Sequence, residues 1–262
     1  MRNIMKQKFQ SKRFPIGVFV FAIAVLLSGF GVGKIFAKEG TVDRSFDFDR
    51  NQMEGKAFVF YGDSITAGLG VPDEDKRYID LLQDAYGFYA YNGAVSGASL
   101  TKGDKTKNDI YSQLEASEYL YRDADYISIF MGTNDFGMSR PLGSASDEPG
   151  TGTVYASLKK VLDIITTANP DVKIMLLTPL YRCDGSNRGF DSTNIANYTL
   201  ADVTEAIRTV GEEYNCKVVD MTDVVNAENY KTLLNEDKLH VKAAGYAAMK
   251  EAIVKEAIVS AE

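Results

Sequence analysis

Residues 57–68 read AFVFYGDSITAG. The first five, Ala57–Tyr61, form a short apolar run of strand type, closed by Gly62. A strand with no polar alternation suits a parallel sheet buried on both faces. The turn-rich residues Gly62–Gly68 then place Ser64 at the mouth of that strand, near the start of a helix. Exposed N–H groups at a helix N-terminus favour a developing alkoxide, so a serine there can serve as a nucleophile. Taken alone, the same serine is equally a helix cap.

Outward from this segment, helical and strand patterns alternate. Helical spacing covers 77–86, followed by a strand at 88–91 and a helix over 110–120. The run YISIFM at 126–131 is a fully apolar strand. An amphipathic helix spans 154–168 and ends at Asn169-Pro170. A strand at 172–177, a helix at 200–214, a strand at 217–221 and a helix at 243–259 complete the chain. This order predicts an α/β fold: a three-layer α/β/α sandwich around a five-stranded parallel sheet. The long irregular stretches 136–152 and 181–195 follow strands three and four. They therefore emerge at the C-terminal edge of the sheet, where open α/β sheets bind ligands.

Three further segments share that edge. Residues 92–99 (NGAVSGAS) follow the second strand, and glycine there lets backbone N–H groups approach a ligand. A simple turn is the plainer reading. Gly132-Thr133-Asn134-Asp135 follows the third strand. The Asn134 side chain can aim an N–H at an oxyanion, or close an Asx turn. Asp237-Lys238-Leu239-His240 precedes the last helix. The carboxylate can hold the imidazole Nδ1–H and leave Nε2 free for a serine proton. His240 is the chain's one histidine. A lone histidine is ordinarily a surface or satisfied core residue. Its coincidence with the other three segments on one sheet edge points to catalysis instead.

GDS at 62–64, Gly97, GTND at 132–135 and DxxH at 237–240 resemble, in order, the four sequence blocks of SGNH (GDSL-like) hydrolases. The likeness extends over nearly all of 57–258. It implies the flavodoxin-like SGNH fold and carboxylic ester hydrolysis without a cofactor. It implies Ser64 as nucleophile, His240 as base and Asp237 as the residue orienting the base. The Ser64 N–H, the Gly97 N–H and the Asn134 amide would form the oxyanion hole. One departure follows His240: Val241-Lys242 stands where many relatives have Pro-Asn.

Other motifs fail. Thr66 breaks a G-x-S-x-G elbow, and one histidine with scattered cysteines leaves no zinc motif. Asp63 and Asp135 could be metal ligands, but residues so placed more often orient loops. No metal is assigned a role.

Residues 14–33, FPIGVFVFAIAVLLSGFGVG, are uncharged and mostly apolar behind a basic flank. They read as a signal peptide or an uncleaved signal anchor, with the body outside the membrane. The expected organisation is therefore 1–37 targeting segment or anchor, 38–55 linker and 56–262 hydrolase domain. Residues 1–38 hold seven of the 29 basic residues and none of the 36 acidic ones, which leaves the rest at net −14. Such a body repels phosphate backbones, so nucleic acid is not an expected partner. Cys183 and Cys216 fall at opposite ends of adjacent strands and are expected as free thiols.

Polar residues on the edge loops (Ser139, Arg140, Asp184, Asn187, Arg188) suggest a carbohydrate-linked O-acetyl or other short-chain ester. A lysophospholipid or another lipid ester is the enzymatic alternative. A non-catalytic, anchored carbohydrate-binding module is the alternative without chemistry.

Overall fold

A computed structural model of the chain describes residues 42–71, 76–103, 108–184 and 190–258. The apolar run at 14–33 and the loop residues Asn187 and Arg188 lie outside them. Among the described residues no helix is long and apolar enough to cross a membrane.

Five strands, β1 (Ala57–Gly62), β2 (Tyr89–Asn92), β3 (Tyr126–Phe130), β4 (Lys173–Leu177) and β5 (Lys217–Val219), form one sheet in the order β2-β1-β3-β4-β5. Every pairing is parallel. The order reverses between β1 and β3, so the crevice beyond their C-terminal ends is the topological switch point where such sheets take ligands. β1 and β3 are buried along their whole length, as their predominantly apolar sequences require, with Ser128 the one hydroxyl of β3 besides Tyr126.

Alternate residues serve the two faces. Phe58, Phe60, Tyr126, Phe130, Met175 and Leu177 enter a core with Ile79 and Leu82 of α3 (Tyr78–Tyr86) and Met249 and Ile253 of α10 (Ala243–Ile258). The opposite face is covered by α4 (Ile110–Ala116), α5 (Glu118–Asp123), α7 (Val154–Ala168) and α8 (Leu200–Glu213). Local chemistry sets the helix ends. Thr153 caps α7 through the Ala156 N–H, and Thr199 with Asp202 forms a capping box on α8. Short helices α1 (Arg50–Met53), α2 (Ser64–Ala67), α6 (Thr133–Gly137) and α9 (Tyr230–Leu233) complete the described elements.

Three expectations are corrected. The helix expected over 110–120 is two helices broken at Ser117. Its hydroxyl donates to the Gln113 carbonyl at 2.5 Å and lies 3.0 Å from the Tyr61 hydroxyl, competing with the backbone ladder. β5 ends at Val219 because the Met221 N–H turns to the Thr178 hydroxyl at 2.8 Å. The expected linker 38–55 is not a linker from Val42 onward, since the compact unit begins at that residue. Arg44 accepts from the Ile174 N–H and donates its own N–H to Asn215 O, both at 2.9 Å. Phe46 packs on Phe58 and Tyr126, and Phe48 on Phe58 and Tyr86. Two phenylalanines two residues apart turn this polar-looking stretch into a core-facing strap. Cys183 and Cys216 are free thiols, and burial pushes the Cys216 thiol up to about 12.

Candidate active site

Ser64 is the first residue of α2, directly beyond the C-terminal end of β1. Asp63 caps the helix: its Oδ1 accepts the Ile65 N–H at 2.9 Å. Gly62 is needed for the turn, because a Cβ there would sit 2.2 Å from Thr66 Oγ1. From below, the Tyr246 hydroxyl donates to Ile65 O at 2.6 Å and the Tyr78 hydroxyl meets Thr66 Oγ1 at 3.2 Å. The turn carrying Ser64 is thus held from both sides.

His240 arrives from the loop before α10. Its Nε2 lies 2.9 Å from Ser64 Oγ and its Nδ1 lies 2.6 Å from Asp237 Oδ2. The other Asp237 oxygen accepts the N–H groups of Leu239 (3.0 Å) and His240 (2.9 Å). Burial alone would raise the Asp237 carboxyl. The bonds from the His240 ring and from the two backbone N–H groups outweigh it and hold the group below the ordinary carboxylate range. The loop is fixed at its base by an antiparallel Leu234–Val241 bridge and by the Cys183 N–H, which donates to Lys238 O at 3.1 Å. Val241 is fully buried, so the departure from Pro-Asn contributes a core residue to this base.

Asn134 sits in the first turn of α6 beyond β3. Its Nδ2 donates to Ala98 O at 2.8 Å, with a longer 3.4 Å contact to Asp63 Oδ2. That links the loops after β1, β2 and β3. Gly97 adopts φ +79°, a backbone region that favours glycine, on the exposed loop beside them. The Ser64 and Gly97 N–H groups donate to no other described residue. Asp135 is fully buried and accepts from Leu100 N, Thr101 N and Thr101 Oγ1 at 2.8–2.9 Å, so it orients the loop that carries Gly97. Its carboxyl is raised by burial against those bonds. Asp63 is raised to about 7, by burial first, against the Ile65 N–H and the charges of His240 and Arg182. Both aspartates orient loops, the role preferred for them over metal ligation.

Sequence reasoning missed Arg182. Its buried guanidinium forms a two-pronged pair with Asp184, at 2.6 Å on each prong, and donates to Thr133 O at 2.6 Å. It packs over Gly137, where an added Cβ would lie 2.9 Å from its Nη1. Arg182 therefore fastens the turn that presents Asn134. Asp184 lies two residues along the same loop, but the contact that gives Arg182 its role, with Thr133 and Gly137, comes from the turn after β3 and leaves no local pattern.

The profile of the GDSL-like Lipase/Acylhydrolase family matches residues 60–248. Among solved structures, the chain resembles a protein from Lactobacillus plantarum at 24% identity and TM-score 0.66, covering 80% of this chain and 99% of that one. A possible lipase from Chitinophaga pinensis aligns at 22% identity and TM-score 0.59, covering 76% and 96%. An acetylxylan esterase from Geobacillus stearothermophilus aligns at 21% identity and TM-score 0.54, covering 79% and 95%. At these identities the structural likeness shows the fold. No curated protein matches the chain. With the matched segment spanning most of its length, the chain belongs to the GDSL-like lipase/acylhydrolase family and is a carboxylic ester hydrolase.

Proposed function

We propose that the chain is a serine esterase working through an acyl-enzyme, with Ser64 as nucleophile, His240 as proton shuttle and Asp237 as the group that orients and charges against the imidazole. The observation that carries this reading is the unbroken line Ser64 Oγ–His240 Nε2 (2.9 Å) and His240 Nδ1–Asp237 Oδ2 (2.6 Å). A binding module has no need of that line, which argues against the non-catalytic alternative.

The steps follow from the geometry. Ser64 Oγ attacks the ester carbonyl while its proton passes to His240 Nε2. The carbonyl oxygen becomes an oxyanion, received by the Ser64 N–H, the Gly97 N–H and the Asn134 amide. The long Asn134–Asp63 contact is the one that yields to it. Collapse expels the alcohol, which takes the proton from His240. Water then gives a proton to His240 and attacks the acyl carbon, releasing the acid and restoring Ser64. The whole sequence runs outside the cytoplasmic membrane. The support for that location is the basic flank and apolar run at 14–33. Turnover of 4-nitrophenyl acetate, together with fluorophosphonate labelling that disappears in Ser64→Ala, tests the reading; labelling retained in that variant refutes it.

A carbohydrate-linked O-acetyl substrate draws its support from the acetylxylan esterase among the structural relatives. The loop residues behind that expectation support it less. Asp184 is taken up by Arg182, and the Ser139 hydroxyl accepts the Ile195 N–H at 3.2 Å.

A further inference from the structure

Gly62 O is the point where the Ser64 turn and the Gly97 loop meet. It belongs to the peptide that enters the Ser64 turn, and it accepts the Val95 N–H at 3.1 Å. Val95 opens a four-residue turn closed by the Ala98 N–H, which donates to Val95 O at 3.1 Å. Gly97 takes the third position of that turn at φ +79°, a position that favours glycine. The direction of the Gly97 N–H is therefore set by the turn from Val95, and the placement of Val95 by Gly62 O.

A second donor reaches the same carbonyl. Gln113, in the middle of α4, gives an Nε2–H to Gly62 O at 3.0 Å. The residue is only 4% exposed. Its backbone carbonyl accepts the Ser117 hydroxyl at 2.5 Å, and that hydroxyl lies 3.0 Å from the Tyr61 hydroxyl. Gln113 thus keys α4 onto the last two residues of β1. The start of α4 is joined to the Gly97 loop as well. The Ile110 N–H donates to Ser99 O at 3.0 Å, and the Ser99 N–H donates to Asn108 O at 3.3 Å. One helix braces both segments that carry the free backbone N–H groups.

Gln113 does not behave as a packing residue. Val95 already satisfies Gly62 O, so the Gln113 bond is an additional one. Gln113 Oε1 is buried and meets no partner among the described residues. A buried acceptor left unpaired costs stability. An adaptable methionine of similar length would fill the same space without that cost. What the amide supplies, and methionine cannot, is direction: a second N–H that holds the plane of the Gly62–Asp63 peptide against rotation.

We propose that Gln113 is a positioning residue for the oxyanion hole, acting through Gly62 O to aim the Ser64 and Gly97 N–H groups at one point. It touches neither substrate nor the reacting atoms. The inference rests on the Ser64 reading above, in which those two groups receive the oxyanion.

The test is Gln113→Met, followed by kcat/KM for 4-nitrophenyl acetate, the inhibition constant of phenylboronic acid, and the urea midpoint. A boronic acid forms a tetrahedral adduct on a serine nucleophile and sets an oxygen in the oxyanion hole. The variant's kcat/KM should fall about tenfold, short of the ~10²–10³ lost with a whole donor. Inhibition by the boronic acid should weaken by a like factor. The urea midpoint should hold or rise, because an unpaired acceptor is gone and no new one is made. Tyr111→Phe, on the same helix, is the contrast. The Tyr111 hydroxyl donates to Gly150 O at 3.0 Å and to Ser157 O at 3.2 Å, away from the hole. Its loss should lower the midpoint and keep both kinetic constants. A Gln113→Met enzyme with a lowered midpoint and unchanged kcat/KM would make the residue a structural peg and overturn the proposal. So would a fall in kcat/KM without weaker boronic acid binding, since the hole would then be intact. Ser64-dependent turnover indifferent to Gln113→Met overturns the brace alone. Turnover that survives Ser64→Ala overturns the active-site reading itself.

Discussion

Ser64 Oγ and His240 Nε2 stand 2.9 Å apart although 176 residues separate them in the chain. The contact exists because β1 ends beside the loop before α10, and because the Asp237 carboxylate accepts both the ring and the backbone N–H of His240. A hydroxyl at this distance gives up its proton as it attacks. Ser64→Ala should therefore lower kcat at least about a thousandfold while leaving the urea midpoint near wild type. The hydroxyl is half of one polar contact and contributes little apolar packing. A variant keeping a tenth of the wild-type rate would move the nucleophile elsewhere.

Asp237 is held below the ordinary carboxylate range by its three N–H donors, after burial is offset. It therefore remains an anion through the neutral range and keeps the imidazole in the tautomer that presents a lone pair to Ser64. Asp237→Asn should cost on the order of 10²–10⁴ in kcat with KM little changed. A KM increase accounting for most of the loss would assign Asp237 to substrate binding.

Asn134 spends one N–H on Ala98 O and leaves the other in a 3.4 Å contact with Asp63. Asn134→Ala should reduce kcat about 10²–10³-fold. Arg182→Ala frees the same turn without removing the amide. It also strands Asp184 and Thr133 O, so a stability loss of about 3–5 kcal/mol should accompany a smaller fall in kcat. Urea unfolding and steady-state kinetics on the two variants separate the effects. An Arg182→Ala enzyme with wild-type stability would show that the Thr133 tie is not structural.

Much of this molecule could be read from the chain alone. β1 and β3 are buried at every position, and apolar apart from Ser128, because helices cover both faces; such runs are visible without long-range information. Helix 154–168 has the expected bounds because Thr153 and Asn169-Pro170 punctuate it. Ser64, Asp237 and His240 lie together as the four strand-end segments foretold, with Gly97 and Asn134 beside them. What escaped depends on contacts between distant residues. Phe46 and Phe48 look like decoration in a polar stretch until Phe58 and Tyr126 are seen beneath them. Arg182 is an ordinary loop arginine until Thr133 and Asp184 close on it. Ser117 reads as helix until Tyr61 draws its hydroxyl.

Asp63 supplies a test that sequence could not suggest. Its carboxyl is raised to about 7 from an ordinary 3.8, chiefly by burial, with the Ile65 N–H, His240 and Arg182 acting in opposition. A raised carboxyl binds its proton more tightly in the folded than in the unfolded chain. Its neutral form is thus favoured by folding, and stability declines as pH rises from about 4 to about 7, with the full cost present above 7. Asp63→Asn keeps a side-chain acceptor for the Ile65 N–H, since asparagine caps helices as well as aspartate, and removes the buried charge. Against this, its amide nitrogen now faces Asn134 Nδ2, so part of the gain is lost. The expected net result is a stability increase on the order of 2 kcal/mol at pH 8 that vanishes by pH 5. Urea midpoints at pH 5 and pH 8 decide the matter. A variant less stable than wild type at pH 8 would show that Asp63 remains ionised across the working range.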